Sequence, residues 1–340
     1  MSNDNIYARF VATDCKENAI FDLQHYLNRD NCFYPYYLLR EKLRLYGFDL
    51  ITADLTHANP AAFALHMNVQ ARRPSEKSYL LMLEASQIYP KNGSASNWEK
   101  YRKLFTWNDE LVDNKHFIKI NLPNLIHVHA EDGFEYRDRF CCMIAGNKNL
   151  LTIDTRNLYL ERVKAIRWFE QHAPQDFELF GVGWHLPATK QGILGRAERR
   201  LLGMSSCVLK QRFFPSYRGR VENKREVLMR TRFSICYENI RDLPGYITEK
   251  IFDCFFSGCV PVYWGASNIE NYIPPDCFVD RRRFHETGAV YDFLRAISEQ
   301  EFKGYQLRIA DFLRSEQAYP FSAECFAETI TKTIVQDLCS

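Results

Sequence analysis

The sequence has 340 residues, of which 46% are hydrophobic and 14% aromatic, and its formal net charge at pH 7 is +2. At about 150 residues per domain, this length predicts two domains with ample apolar side chains for two cores. The near-neutral charge excludes a general bias towards nucleic acid or membranes, and no apolar run approaches the roughly 20 residues of a membrane span. The first ten residues lack the basic start and apolar centre of a signal peptide, so we expect a cytoplasmic protein.

Eleven cysteines are scattered along the chain without a C-x-x-C pair. This spacing indicates neither a disulfide framework nor a zinc site. We therefore expect reduced, mostly buried thiols and no bound metal.

The first half of the chain alternates short β-rich runs with helical stretches. In chain order these are YARFVAT, YPYYLLREKLRLYG, FDLITAD, NPAAFALHMNVQ, YLLMLEAS, NWEKYRKLFTWNDEL and FIKINLP. Such alternation predicts parallel strands covered by helices. The continuously apolar run 79–83 is typical of a central strand that is buried on both faces.

The same pattern restarts with FCCMIAG, followed by the long helical stretch LYLERVKAIRWFEQHA, then FELFGVG, ENKREVLMR, FSICYE, TEKIFDCFFSG and VPVYWGA. A second α/β unit is therefore predicted, with the boundary near NKNLLTIDTRN. We place a first domain at 1–152, a second at 153–318, and a C-terminal segment with the helical stretch AECFAETITKTIVQDL at 319–340.

The stretch 237–267 contains a strand, a polar loop, a helix and another strand, which together form a βαβ unit. The loops that follow its strands should lie at the carboxyl edge of the sheet, where open α/β sheets bind ligands. Thr248 is a good N-cap, and the helix N–H groups behind it, together with Lys250, suit an anionic phosphate. Glu249 is able to accept hydrogen bonds from sugar hydroxyls. In the alternative interpretation Thr248 only caps the helix, Glu249 favours its dipole and Lys250 is solvated.

A basic segment extends from Lys190 to Arg232 and contains twelve Lys and Arg against three Glu, a net charge of 12 − 3 = +9. Such a concentration suggests an anionic partner, namely a diphosphate, a lipid or lipopolysaccharide surface, or nucleic acid. Arg212, Arg218 and Arg220 lie among aromatic residues and are the better candidates for a ligand contact. The alternative is a solvated basic helix.

Glu84 follows the apolar strand YLLML and so lies at the carboxyl end of a strand in the first domain. A carboxylate there is suited to act as a general base. The alternative, that Glu84 caps the following turn, is equally compatible with the pattern.

A set of motif residues in the second half resembles the signature of glycosyltransferase family 10, the α-1,3/1,4-fucosyltransferases. The residues that carry the resemblance are Asn239, Tyr246, Thr248, Glu249, Lys250, Gly258, Val260, Pro261, Val262, Gly265, Ile273, Pro274 and Pro275. The resemblance implies an α/β fold of the GT-B type. In that fold two Rossmann-like domains face each other across a cleft and the C-terminal helix returns to the first domain.

The resemblance also implies an inverting transfer of L-fucose from GDP-fucose to the 3- or 4-hydroxyl of GlcNAc or Glc in an oligosaccharide or glycolipid acceptor, without a metal or other cofactor. In that reaction Glu84 would accept the proton of the acceptor hydroxyl. Lys250 and an arginine, Arg212 or Arg220, would neutralise the GDP diphosphate. The remaining donor-binding residues would be Glu238, Asn239, Tyr246, Thr248 and Glu249.

Other interpretations remain open at this point. Ile240 departs from the small polar residue that many family members have there. The motif explains diphosphate binding better than the choice of hexose, so a GT-B transferase with another nucleotide sugar is one alternative. A non-catalytic glycan- or lipopolysaccharide-binding protein is another. Nucleic-acid binding, which would weaken steeply with salt, is not expected, whereas peripheral contact of the basic segment with an anionic membrane stays open.

Overall fold

The structure is a computed structural model that describes residues 6–13, 15–55, 60–70, 74, 77–192, 195, 197–198, 201 and 212–340. The chain folds into two compact units. Unit 1 comprises 1–126, 244–246 and 318–340, and unit 2 comprises 127–243 and 247–317.

Each unit contains a six-stranded parallel sheet. The sheet of unit 1 has the order β2-β1-β3-β4-β5-β6, and the sheet of unit 2 has the order β12-β11-β10-β7-β8-β9. The strands of unit 1 are β1 Ile6–Val11, β2 Phe48–Thr52, β3 Ala64–Met67, β4 Ser78–Met82, β5 Lys103–Thr106 and β6 Phe117–Lys119. Those of unit 2 are β7 Arg139–Ile144, β8 Phe177–Phe180, β9 Tyr217–Gly219, β10 Thr231–Tyr237, β11 Val260–Trp264 and β12 Val279–Asp280.

Helices cover the sheets, as expected for parallel strands joined by crossovers. The described α-helices are α1 Tyr34–Arg44, α2 Ala95–Trp98, α3 Leu158–His172, α4 Lys224–Met229, α5 Glu249–Phe255, α6 Thr287–Ala296, α7 Glu299–Arg314 and α8 Ala323–Cys339. Within the described part of the chain, no helix combines the length and the hydrophobicity that a bilayer span requires.

Each sheet has its own core. In unit 1, Phe10, Leu65 and Leu81 of the sheet pack with Leu39 of α1 and Ile330 of α8. In unit 2, the core joins strands β7, β8, β10 and β11 to α3, α6 and α7. The C-terminal helix thus completes the core of unit 1, because Phe326, Ala327, Ile330 and Ile334 of α8 share one apolar cluster with strand β1.

The predicted α/β class is confirmed, and two local predictions differ from the structure. The stretch NPAAFALHMNVQ contains strand β3, and NWEKYRKLFTWNDEL contains only the short helix α2 followed by strand β5. Both strands are short and largely buried. Periodicity does not separate a buried strand from a buried helix in so short a run.

The division into units also differs from the predicted boundary at 152. The first unit's N-terminal stretch ends at Ile126, because β7 pairs with β8 and β10 of the second sheet. The segment 244–246 belongs to unit 1 although the residues on either side of it belong to unit 2.

Candidate functional site

The second sheet has a topological switch point between β7 and β10. From β7, the strands β8 and β9 extend the sheet to one side, and β10, β11 and β12 extend it to the other. The connections that leave β7 and β10 therefore diverge, which opens a crevice at the carboxyl edge of the sheet where such folds bind ligands. The loop after β10 is the polar stretch that the sequence singled out.

The loops after β7 and β10 are bonded to each other at this switch point. Asn157 forms an antiparallel bridge with Ile240. The Leu158 backbone N–H donates to the Asn239 carbonyl at 3.2 Å, and the Arg241 N–H donates to the Arg156 carbonyl at 2.9 Å. The start of α3 and the loop after β10 are therefore fixed relative to each other.

Glu238 is fully buried at the end of β10 and bonds to the start of helix α5. One carboxylate oxygen accepts the Thr248 backbone N–H at 2.8 Å, and the other accepts the Thr248 hydroxyl at 2.8 Å. The Lys250 ammonium donates to the second oxygen at 3.1 Å and to the Thr248 hydroxyl oxygen at 2.9 Å. This network anchors the positive charge of Lys250 at the switch-point edge.

Helix α5 begins as predicted. The Thr248 hydroxyl oxygen accepts the Lys250 backbone N–H at 3.4 Å, which makes Thr248 the N-cap. The Glu249 side chain is 52% exposed and lies 3.5 Å from the Lys250 ammonium. Although desolvation opposes ionisation, Lys250 and Lys224 hold the pKa of Glu249 below its ordinary value. Glu249 is therefore an anionic acceptor at the surface of this edge.

Asn239 is held by a buried arginine. Its side-chain oxygen accepts from the Arg162 guanidinium at 3.0 Å, and the same Nη2 atom donates to the Tyr237 carbonyl at 2.6 Å. The guanidinium also lies 4.8 Å from the centre of the Tyr159 ring. Arg162 thus fixes the orientation of the Asn239 amide.

Tyr246 belongs to unit 1, where its ring packs against Trp107 with a centroid distance of 4.7 Å and an interplanar angle of 48°. Both side chains are buried. The Trp107 indole N–H donates to the Leu83 carbonyl at 2.9 Å. Tyr246 is therefore packed against the residue that bonds to the backbone next to Glu84.

Glu84 lies two residues after the end of β4 and its side chain is exposed. The Asn68 side-chain oxygen accepts the backbone N–H groups of Leu83 and Glu84, both at 3.1 Å. The Asn92 amide nitrogen donates to the Glu84 carbonyl at 2.9 Å and to the Asn68 side-chain oxygen at 2.8 Å. The backbone that carries Glu84 is therefore held on both sides.

The basic segment lies partly outside the described residues, including Arg196, Arg199, Arg200 and Lys210. Arg212 and Arg220 are exposed, and Arg220 directly follows the last residue of β9. Arg218 bonds to Glu178 at 3.1 Å. Of the three predicted arginines, Arg218 is thus engaged with a carboxylate on β8.

Cationic and polar residues that the sequence reasoning missed lie at the same edges. They are Arg156 and Arg162 in unit 2, and Asn68, Asn92 and Trp107 in unit 1. Arg156 precedes Asn157, the N-cap of the 15-residue helix α3. The tripeptide TRN before a long helix was a usable signal for Arg156, whereas the others depend on contacts between distant residues.

Among the described residues, no group of three or more His, Cys, Asp and Glu side chains is arranged to hold a metal ion. The ten described cysteines are free thiols, most of them buried.

Comparison with known proteins confirms the predicted resemblance. Residues 205–318 match the family model of the C-terminal region of glycosyltransferase family 10 (fucosyltransferase). An α-(1,3)-fucosyltransferase from Helicobacter pylori is 36% identical over 75 residues, which are 22% of this chain and 16% of that protein. An α-(1,4)-fucosyltransferase from Arabidopsis thaliana is 34% identical over 80 residues, which are 24% of this chain and 17% of that protein. The matches thus span about a sixth of each relative.

Solved structures extend the likeness to nearly the whole chain, at the level of the fold. A crystal structure of an α1,3-fucosyltransferase with GDP has a TM-score of 0.54 at 16% sequence identity and covers 99% of this chain and 92% of its own. Anabaena Alr3699/HepE in complex with UDP and glucose has a TM-score of 0.53 at 9% identity, with 97% and 100% covered. These likenesses confirm the predicted GT-B type of fold but do not select one nucleotide.

Proposed function

From the match of residues 205–318 to glycosyltransferase family 10, we propose that this protein transfers L-fucose from GDP-fucose to a hydroxyl of an oligosaccharide or glycolipid acceptor. The proposed acceptor group is the 3- or 4-hydroxyl of GlcNAc or Glc in a lactosamine-type or surface glycan. The anomeric configuration is inverted.

The observation that carries this proposal is the anchored ammonium of Lys250. Its bonds to buried Glu238 and to Thr248 fix a positive charge at the switch point, where open α/β sheets bind nucleotides. A fixed cation stabilises the negative charge that develops on a departing diphosphate without reorganising during the reaction. Because both of its carboxylate oxygens accept hydrogen bonds from Thr248 or Lys250, Glu238 acts on the donor through Lys250.

The proposed reaction is a direct displacement. The acceptor oxygen attacks the anomeric carbon of fucose, the bond from that carbon to the GDP oxygen breaks, and GDP leaves with the electron pair. The Glu84 carboxylate takes the proton of the acceptor hydroxyl, as the base does in inverting sugar chemistry through an oxocarbenium-like state. No electron acceptor or metal is required for this balance.

The remaining donor-binding residues keep the roles that the resemblance gives them. Tyr246 and Glu249 contact the nucleotide or its ribose, Asn239 lies near the fucose, and Thr248 supports Lys250. For the diphosphate, Arg156 joins Arg212 and Arg220 as a candidate, because Arg156 lies at the switch point beside the N-terminus of α3.

One alternative is less favoured than fucose transfer, because the family match of residues 205–318 is to fucosyltransferases. The fold is equally similar to a protein solved with UDP and glucose, so a GT-B transferase with another nucleotide sugar is the second candidate. A non-catalytic glycan- or lipopolysaccharide-binding protein is less favoured, because Glu84 and Lys250 are both present. A cytoplasmic location, supported by free thiols, and peripheral contact with an anionic membrane remain proposals.

A transfer assay in EDTA tests the proposal. Wild-type protein is incubated with GDP-fucose, UDP-glucose or GDP-mannose and with lactosamine, lacto-N-biose or lactose, and GDP binding is measured by calorimetry. Glu84→Gln should abolish transfer and still bind GDP, whereas Lys250→Ala should weaken GDP binding and transfer together. Lys164→Ala, which removes a lysine that is 71% exposed, is the matched control.

If the protein forms a glycosylated product with GDP-fucose and with neither of the other two donors, the proposal is supported. Transfer from UDP-glucose or GDP-mannose instead supports the second candidate. Absence of both GDP binding and transfer in the wild-type protein contradicts the proposed function.

A further inference from the structure

Trp107 directly follows β5 in unit 1 and contacts structures that carry two proposed functional residues. Its ring packs against Tyr246, and its indole N–H donates to the carbonyl of Leu83, the neighbour of Glu84. We propose that Trp107 is a positioning residue that fixes the Tyr246 ring for the donor and the Glu84 backbone for the acceptor. This inference rests on the proposed function.

The ring of Trp107 limits the positions that Tyr246 is able to adopt. Only 3% of Trp107 and 2% of Tyr246 is exposed to solvent, and their centroids are 4.7 Å apart. Tilted aromatic pairs at this distance are attractive beyond the burial of their area. Loss of the indole would leave Tyr246 beside a cavity and remove one of the groups that restrict its ring.

The backbone before Tyr246 is held by the same part of unit 1. The Asp109 N–H donates to the Pro244 carbonyl at 3.3 Å. Gly245 has a φ of +82° and lies against the Trp107 carbonyl, and a Cβ added there would be 2.9 Å from the Lys119 ammonium. Residues 244–246 are therefore seated closely enough that only glycine fits at their centre.

The indole N–H of Trp107 holds the backbone next to Glu84. It fixes the Leu83 carbonyl, while Asn68 fixes the N–H groups of Leu83 and Glu84. The two peptide groups that precede the Glu84 side chain thus have three defined bonds. A catalytic group needs such support, because small displacements of a general base lower the reaction rate.

Two substitutions separate the two contacts. Trp107→Phe keeps an aromatic ring for Tyr246 but loses the N–H that bonds to Leu83. Trp107→Leu removes both. Phe48→Leu is the matched control, because Phe48 packs edge-on against Phe63 at 5.6 Å and lies on the edge strand β2, which β1 and β3 separate from β4.

The expected results differ between the variants. Trp107→Phe should leave the Kd for GDP unchanged and lower kcat by about threefold to tenfold, the value of one hydrogen bond. Trp107→Leu should also raise the Kd for GDP by about threefold to tenfold, the value of an aromatic pair. The double variant Trp107→Leu/Tyr246→Leu should have a Kd for GDP little higher than that of Trp107→Leu, because either substitution alone already removes the contact between the two rings.

The controls separate this inference from the proposed function. A purely structural role would lower Tm and the active fraction in every variant, with wild-type Kd and kcat per folded molecule, and that outcome overturns the inference. If wild type transfers fucose and both Trp107 variants match it, the inference is wrong and the function stands. A wild type that neither binds GDP nor transfers overturns both.

Discussion

Gly265 lies so close to Glu238 that a Cβ added to it would be 2.5 Å from Glu238 Cγ. The same Cβ would also meet the Tyr263 hydroxyl, which accepts the Ala266 N–H at 3.1 Å. Gly265 and Glu238 follow neighbouring strands, and the Glu238 N–H bonds to the Trp264 carbonyl at 2.8 Å. A glycine of the family signature therefore makes room for the carboxylate that anchors Lys250.

Gly265→Ala should consequently weaken both stability and GDP binding. Forcing a methyl group into this packed site is expected to cost about 1–3 kcal/mol in the free energy of unfolding and to displace the Glu238 carboxylate from Lys250. Urea unfolding and calorimetry with GDP measure the two effects. Gly304→Ala is the control: it lies within α7, its Cβ would meet only the flexible end of Arg308, and it should stabilise the helix by up to ~1 kcal/mol. Equal free energies of unfolding for Gly265→Ala and Gly304→Ala would contradict the close contact between Gly265 and Glu238.

Glu238→Gln tests whether the carboxylate holds the ammonium of Lys250. The amide keeps the shape of Glu238 but loses the negative charge. Its NH2 group would also face hydrogen-bond donors of Thr248 or Lys250, whose bonds the carboxylate oxygens accepted. We expect a loss of about 1–3 kcal/mol in the free energy of unfolding and weaker GDP binding. Glu249→Gln changes an exposed carboxylate of the same turn and should leave stability within about 0.5 kcal/mol. A stable Glu238→Gln variant with wild-type GDP affinity would rule out the anchoring role.

The partly buried Asp132 and the fully buried Arg137 form an ion pair whose loss should be costly. The Arg137 side chain is fully buried, and Asp132 accepts from its Nε at 2.9 Å and its Nη2 at 3.1 Å. Asp132→Asn leaves the guanidinium without its carboxylate, so we expect a loss of about 3–5 kcal/mol. Asp138→Asn is the control, because Asp138 pairs with Arg230 at the surface and should contribute less than about 1 kcal/mol.

The same ion pair predicts a pH dependence. Burial opposes ionisation, but hydrogen bonds from Arg137 and Gln306 hold the pKa of Asp132 below its ordinary value. The folded state therefore binds this proton less tightly than the unfolded chain. The stabilisation is complete above the ordinary pKa of about 3.9 and is lost as the pH falls below it. The free energy of unfolding, measured between pH 3 and 7, should fall less steeply towards acid pH in Asp132→Asn than in wild type. Identical pH slopes of the two proteins would contradict the prediction.

The sequence predicted most of the framework that positions the site. The apolar run of β4, the βαβ unit around α5 and the N-cap at Thr248 follow local rules of burial, periodicity and capping, and the structure has all three. Strands β3 and β5 were missed because their short buried runs carry no period. The return of α8 to unit 1 followed from the resemblance, and in the structure Phe326 and Ile330 of α8 share the apolar core of unit 1 with Phe10 and Leu39.

The contacts that position the predicted residues depend on tertiary structure. Glu238 and Lys250 are 12 residues apart, but Trp107 and Tyr246 are separated by most of the second sheet in the sequence. Neither a helical nor a strand period relates such residues. The choice among the basic-segment arginines had the same difficulty, since the carboxylate that engages Arg218 lies on another strand.

Arg156 provides the sharpest test of where the diphosphate binds. Its carbonyl accepts from Arg241 across the switch point, its guanidinium pairs with Asp154 at 2.8 Å, and it precedes the cap of α3. If it contacts the diphosphate, Arg156→Ala should weaken GDP binding by about tenfold or more, the value of a charged hydrogen bond, and should leave guanosine binding unchanged. Arg218→Ala, which removes an arginine of the edge strand β9 and not of the switch point, should affect neither ligand. An equal loss for GDP and guanosine would assign Arg156 to the fold, and a loss confined to Arg212→Ala or Arg220→Ala would assign the diphosphate to the basic segment.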